Sequence, residues 1–285
     1  MKHVSAIVVV DHTPIHVVSW GKGLPIMLIH GLTNNWEGHI PIATALSKHY
    51  RVIIPDLPGY GDSGVSDQYS IGKMARYVAK LIEALDVTPV AIVGLSMGGL
   101  IAAECARVYP HVAKTAVVMG PVLKDKHPGV DATKHLFQFV SIVPGGRRIL
   151  KRIVDTRAAA YLLAKYINMY RFDRNLIDRY GMRGKRKMTP DAYVEMGISS
   201  AEYDLDRTLQ EVGIPTLLVF GREDKISAPT HAKTSVIPTN SNLTLSVIAE
   251  AGHIVSLEKS EETAGAIMEF LHHRAQVSHP PPVSS

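Results

Sequence analysis

Cysteine occurs once in the 285 residues, as Cys105, so no internal disulfide can staple the chain and its fold must rest on packing. A chain without disulfides suits a reducing compartment, and a cytoplasmic location is expected. No apolar run approaches the ~20 residues needed to cross a bilayer. The N-terminal "SAIVVV" is shorter than the apolar core of an export signal, and no small-residue cleavage site follows it. Paired-cysteine motifs and His-Glu-x-x-His are missing, and "DLPGYGDSG" has the wrong spacing of acidic residues for a calcium loop. "GYGDSG" lacks the Gly-Lys-Ser/Thr ending of a phosphate loop. Neither a metal nor any cofactor other than water is expected. Repeats at solenoid or propeller periods are also missing.

What the chain does have is apolar substance in short pieces. Hydrophobic residues make up 46% and charged ones 20%, the balance of a globular protein able to bury a large core. β-rich runs bounded by Gly, Pro or Asp recur at "SAIVVV", "IHVVSW", "PIMLIH", "RVIIPD", "PVAIVG", "KTAVVMG", "PTLLVFG" and "LTLSVIA". From the third run onward helical patterns separate most of them. Buried strands alternating with helices predict an α/β class protein, a mostly parallel eight-stranded sheet with helices on both faces. The first two runs lie too close for a crossover helix and should form an antiparallel edge. Residues 121–207 break the rhythm with helical patterns alone and read as an inserted helical cap on a core of 1–120 and 208–272. The Pro- and Ser-rich tail 273–285 is expected to be disordered.

Charge separates along the same lines. Residues 121–188 hold 16 Lys+Arg against 5 Asp+Glu, a balance of +11; the remainder of the chain has 15 against 21, or −6. A solvated helical surface, an anionic substrate and an anionic membrane surface all fit a basic cap. Nucleic acid is excluded as a partner because the stretch lacks interleaved aromatics and any binding motif. Composition leaves the oligomeric state open.

"VAIV" runs into "GLSMGG" and then into "LIAAECARVY": a strand, a tight turn centred on Ser96, and a helix. A serine hydroxyl is a poor nucleophile at neutral pH, and needs a base for its proton and donors for the oxyanion it creates. A sharp strand-to-helix turn forces the central residue into a strained conformation that pushes its side chain out. Gly94 and Gly98 then stand where Cβ atoms would collide. Among fourteen histidines, His253 in "EAGHIVSLE" is best placed as the base, in a loop after the last strand. The acid that orients it comes from "FGREDKISAP", where residue type alone leaves Glu223 and Asp224 equivalent; the chain order Ser96, Asp224, His253 matches the usual one for such a site. Asp125 is a fallback acid. Gly31 lets the chain turn after the third strand so that the Leu32 N–H joins that of Met97 as an oxyanion pair. Gly31 and Trp36 are candidate substrate contacts, along with Met97. His30 and Tyr60 read as loop braces, and Cys105 as a small core residue.

Together His30-Gly31, "DLPGYGDS", "GLSMGG", "GREDK" and "AGH" resemble the landmarks of the α/β-hydrolase family, in its usual order, over roughly residues 1–120 and 208–272. The resemblance implies a Ser96–Asp224–His253 triad and a cap inserted after the sixth strand. Within that family the Ser-Met-Gly-Gly stretch is similar to carboxylesterases and monoacylglycerol lipases, whereas epoxide hydrolases and haloalkane dehalogenases carry Asp where this chain has Ser96. Serine hydrolysis of a small-molecule or lipid-type carboxylic ester is expected. Hydrolases of carbon–carbon bonds in ring-fission products are also similar, but usually carry Asn where this chain has Leu95. The alternatives for this chain are such a carbon–carbon hydrolase, a ligand-binding receptor on the same fold with little turnover, or a cofactor-free peroxidase activity of the same triad.

Overall fold

The computed structural model describes residues 3–87, 90–124 and 126–278. In it the eight apolar runs become β1 (Val4–Val10), β2 (Thr13–Trp20), β3 (Pro25–Ile29), β4 (Arg51–Pro55), β5 (Val90–Leu95), β6 (Ala113–Met119), β7 (Thr216–Gly221) and β8 (Leu243–Ile248). They form one sheet in the order β1-β2-β4-β3-β5-β6-β7-β8. β2 runs antiparallel to both β1 and β4, and every other pairing is parallel. Successive residues face opposite sides of a strand, so even an unbroken apolar run feeds two cores. Met27 and Ile29 of β3 join one buried cluster; Ile26 and Leu28 join the other.

Helices seal both faces. α1 (Ile40–Leu46) covers one, contributing Ile42 and Leu46; α2 (Ile71–Ala84) and α3 (Met97–Val108) cover the other. α2 starts where the Ser70 hydroxyl accepts the Lys73 N–H, a cap that satisfies an otherwise orphaned helix donor. Between β6 and β7 the described chain makes no strand. It forms α4 (Gly129–Ile142), α5 (Gly146–Val154), α6 (Arg157–Leu163), single-turn α7 (Arg174–Leu176), α8 (Met182–Arg186), α9 (Pro190–Glu202) and α10 (Leu205–Glu211). After β7 come the short α11 (Pro229–His231), α12 (Val255–Glu258) and α13 (Ser260–Ser278). None of the described helices is long and apolar enough to cross a membrane.

The expected disordered tail needs correction at its start. α13 continues through 273–278, because the apolar stripe that docks Ile267 and Phe270 on the sheet starts a helix that its polar end then prolongs. Residues 279–285 lie outside the described residues.

β3 and β5 are neighbours, yet the chain leaves β3 toward β4 on one side and enters β6 from β5 on the other. Such a reversal opens a crevice at the carboxyl ends of the two strands, where open α/β sheets bind ligands. Gly31 follows β3 and Ser96 follows β5, so both stand at that crevice.

Candidate active site

Ser96 has φ 54° and ψ −118°, a strained conformation for a residue with a Cβ. The turn tolerates it because the surrounding backbone over-determines it: the Ser96 N–H donates to the Met119 carbonyl at 2.8 Å, and the Ser96 carbonyl accepts the N–H groups of Gly99 and Leu100. A Cβ on Gly94 would overlap the Gly98 carbonyl, and one on Gly98 would overlap the Ile29 carbonyl, so both positions require glycine.

From Ser96 a chain of hydrogen bonds runs inward. The Ser96 hydroxyl donates to His253 Nε2 at 2.8 Å, and His253 Nδ1 donates to Asp224 Oδ2 at 2.9 Å. A carboxylate can only accept, so Nδ1 carries the proton and Nε2 presents its lone pair to the serine. Asp224 is itself held by backbone: its Oδ1 accepts the N–H of Ile226 at 2.7 Å. His253 and Asp224 are buried, whereas Ser96 is partly open.

The same geometry separates the two acids that residue type left equivalent. Glu223 points to the histidine loop's backbone, accepting the Ala251 N–H at 3.1 Å, and the Glu223 N–H donates to the Ala251 carbonyl. Asp125 lies outside the described residues.

A cavity of about 330 Å³ opens above Ser96. Its floor includes Gly31, Leu32, Met97 and His253; its roof comes from the helical segment, with Phe137, Leu163 and Tyr193. Lys and Arg are missing from its described lining, so the basic balance of that segment does not reach the cavity wall. His127 also lines it. Trp36 corrects an expectation, for it does not line the cavity. Its backbone N–H donates to Asp56 Oδ1 at 2.9 Å, and its ring packs on His3 and Trp20, with centroids 5.3 and 5.6 Å away.

The residues around the crevice act as braces. His30 Nδ1 donates to the Gly31 carbonyl at 2.9 Å, while Nε2 accepts the Leu57 N–H at 3.1 Å, and burial holds the ring's pKa below its ordinary value. With both nitrogens engaged, the neutral ring fixes the loop that presents Leu32. Tyr60 is fully buried, its ring 4.8 Å from that of His30. Burial alone would raise the Asp56 carboxyl, but hydrogen bonds from His16, Trp36 and Asp62 hold it below the usual range. His16, Asp56 and Asp62 are also the one grouping of three metal-ligating side chains among the described residues. Those groups are already spoken for, His16 by Asp56 and Asp62 by Lys187 at 2.8 Å. Cys105 is buried in the core, where burial raises its thiol pKa.

Two carboxylates anchor the histidine loop, and one of them, Glu258, was not among the candidates read from the sequence. Besides Glu223, Glu258 accepts the Gly252 N–H through Oε1 at 2.9 Å and the Tyr170 N–H through Oε2 at 2.7 Å. The Ile254 N–H also reaches the Asn168 carbonyl. The helical segment is thereby tied directly to the loop that carries His253. A Glu six residues after a loop glycine is a common spacing, and only the fold reveals its use.

Over residues 25–260 the sequence matches the model of a family described as the alpha/beta hydrolase fold. A 2-hydroxy-6-oxo-6-(2'-aminophenyl)hexa-2,4-dienoic acid hydrolase from Metapseudomonas resinovorans is 27% identical over 274 residues, 90% of this chain and 87% of that enzyme. A pimeloyl-[acyl-carrier protein] methyl ester esterase from Xanthomonas axonopodis pv. citri (strain 306) is 27% identical over 90% of this chain and 98% of that protein. Among solved structures, a thermophilic esterase from Thermogutta terrifontis superposes with a TM-score of 0.74 at 23% identity, covering 96% of this chain and 99% of that one.

Proposed function

The chain belongs to the α/β-hydrolase family, and we propose that it is a serine hydrolase of small-molecule or lipid-type carboxylic esters. One observation carries this reading: Ser96, His253 and Asp224 form an unbroken hydrogen-bonded relay at the floor of an apolar cavity. Ser96 Oγ attacks the ester carbonyl while His253 Nε2 takes its proton. Asp224 holds the imidazole in the accepting tautomer and stabilises the imidazolium. The N–H groups of Leu32 and Met97 receive the oxyanion. The imidazolium then gives its proton to the departing alcohol. Water, deprotonated by the same His253, releases the acid and restores Ser96. Nothing beyond water is consumed.

We also assign residues 121–207 the part of a cap over the core 1–120 and 208–272, in a cytoplasmic enzyme. Exposed basic residues such as Arg148 and Arg152 and a set of exposed apolar side chains stand on the cap's outer face, which we assign to peripheral contact with an anionic membrane. A second reading is hydrolysis of a carbon–carbon bond, favoured by the 27% identity to the dienoic acid hydrolase. Leu95, at the cavity wall, weighs against it because it offers no polar group beside the serine.

The test is hydrolysis of p-nitrophenyl esters from acetate to palmitate. Ser96→Ala should lower kcat by about 10⁵-fold or more, and Asp224→Asn by about 10⁴-fold through loss of the accepting tautomer. Turnover that survives Ser96→Ala would remove this mechanism. A wild type inert to every ester but active on a ring-fission diketone would select the second reading.

A further inference from the structure

Beside the Ser96 cavity lies a smaller hollow of about 60 Å³, and Thr33, Asn34, Leu95, Leu163, Asn168 and Ile254 line both. Space of that size accommodates a few waters or one small polar group. The hollow is otherwise largely apolar, and among the described residues its one ionisable wall residue is Lys185 from α8. Lys185 is only 6% exposed. Within the described residues its ammonium makes no hydrogen bond or ion pair.

Asp155, the carboxylate whose charge acts on it, is already committed. Lys151, also buried, places Nζ 2.6 and 2.5 Å from the two oxygens of Asp155 and donates a further bond to the Lys185 carbonyl at 2.8 Å. Asp155 is thus taken by Lys151, and the ammonium of the largely buried Lys185 has no carboxylate of its own. A buried charge without a partner is costly, and natural folds pair or expel it. Lys187, two residues on, shows the ordinary solution: it turns outward and meets Asp62. Burial pushes the pKa of Lys185 down to about 8, with Lys151 lowering it further and Asp155 opposing, so the group is still mainly charged at neutral pH.

We propose that Lys185 receives a carboxylate at the end of the substrate remote from the bond broken at Ser96, so that the preferred substrate is an ester bearing a free carboxylate. The inference rests on the serine-hydrolase reading for the word "ester" but not for the anion site. One ammonium in a hollow this small suits a singly charged carboxylate better than a phosphate dianion, which demands more donors.

The probes are monomethyl esters of the dicarboxylic acids from succinic to suberic, each beside its dimethyl counterpart. Binding is measured by calorimetry to the full chain carrying Ser96→Ala, and turnover with the wild type. At least one monoester should bind ten-fold or more tighter than its diester. Adding Lys185→Met should erase that preference, while Lys185→Arg retains part of it. Lys185→Met should also keep or raise Tm, since it removes an unpaired buried charge; a merely structural lysine would lower Tm and leave the preference alone. Equal affinity for monoester and diester throughout the series overturns the proposal. So does a preference that Lys185→Met leaves intact, and Lys185→Gln decides the matter should the methionine variant not fold. If the wild type hydrolyses no ester yet the Lys185-dependent preference is present, the anion site stands and the hydrolase reading fails. If it hydrolyses both series equally and Lys185 is irrelevant to binding, the reverse holds.

Discussion

His39 shows how one buried side chain sets a property of the whole protein. Burial, with His30 close by, pushes its pKa down to about 3, and burial also lowers that of His30. In the unfolded chain both rings titrate near ~6.5. As the pH falls below that value the unfolded state gains protons that the folded state refuses, so stability declines toward pH 3. For His39 the slope is about 1.4 kcal/mol per pH unit, and His30 adds to it in the same direction. His16 has the opposite sign: its bond to Asp56 raises its pKa, so its contribution is full below ~6.5 and fades as the pH climbs through the raised value. Urea melts between pH 7.5 and 4.5 should show the acid-side decline, and His39→Leu should flatten it by about one proton's worth. An unchanged slope in His39→Leu would mean that the ring is protonated in the fold. Histidines illustrate what residue type hides: fourteen occur in the sequence, and position after a strand singles out His253, whereas nothing in "EGHIP" reveals that His39 is buried.

At the scale of elements, the helical segment meets its own roof through one glycine. Gly197 on α9 faces Phe137 on α4, and a Cβ there would overlap the phenyl ring, which stacks edge-on against Tyr193 with centroids 5.0 Å apart. Gly197, Phe137 and Tyr193 all line the cavity. Gly197→Ala should therefore drive the ring into the acyl space, cost about 1–3 kcal/mol through overpacking, and cut activity on long esters several-fold more than on acetate. The chain-length profile checks this; a uniform loss would mean that α4 and α9 part instead. Strands were the most legible elements, because continuous apolar runs such as "PIMLIH" between Gly and Pro signals have few other uses. "GLSMGG" was legible for a similar reason, since a strained turn admits only small neighbours. Trp36 was not. Proximity in sequence to the loop after β3 does not say which way a short helical turn points, and the Asp56 hydrogen bond turns it toward Trp20. Lys185 was hidden more deeply, because "GMRGKRKM" reads as a solvated basic face until packing shows one of its lysines enclosed.

For the molecule as a whole, the question is what the outer face of the helical segment meets. Phe139 and Ile142 on α4 are 62% and 80% exposed, and Ile149, Ile153, Leu162 and Tyr166 are also exposed on the elements that follow. In "GRRILKRIV" of α5 these apolar side chains alternate with arginines, in a stretch whose balance is +11 over residues 121–188. Apolar side chains amid basic ones suit the boundary of an anionic bilayer, where burial and attraction act together. Ile167 is both exposed and part of the cavity lining, so the patch borders the route to Ser96. The protein should co-sediment with phosphatidylglycerol vesicles and far less with phosphatidylcholine, losing most of that binding as salt is raised and the attraction is screened. Arg148→Glu with Arg152→Glu should weaken binding by up to about a thousand-fold, at roughly 1 kcal/mol for each charge lost and again for each charge reversed. Phe139→Ser should weaken it at any salt concentration. Equal binding to both vesicle types would deny the charge its part. Vesicle-independent self-association abolished by Phe139→Ser would show instead that a second copy covers the patch, leaving the basic excess as a solvated surface.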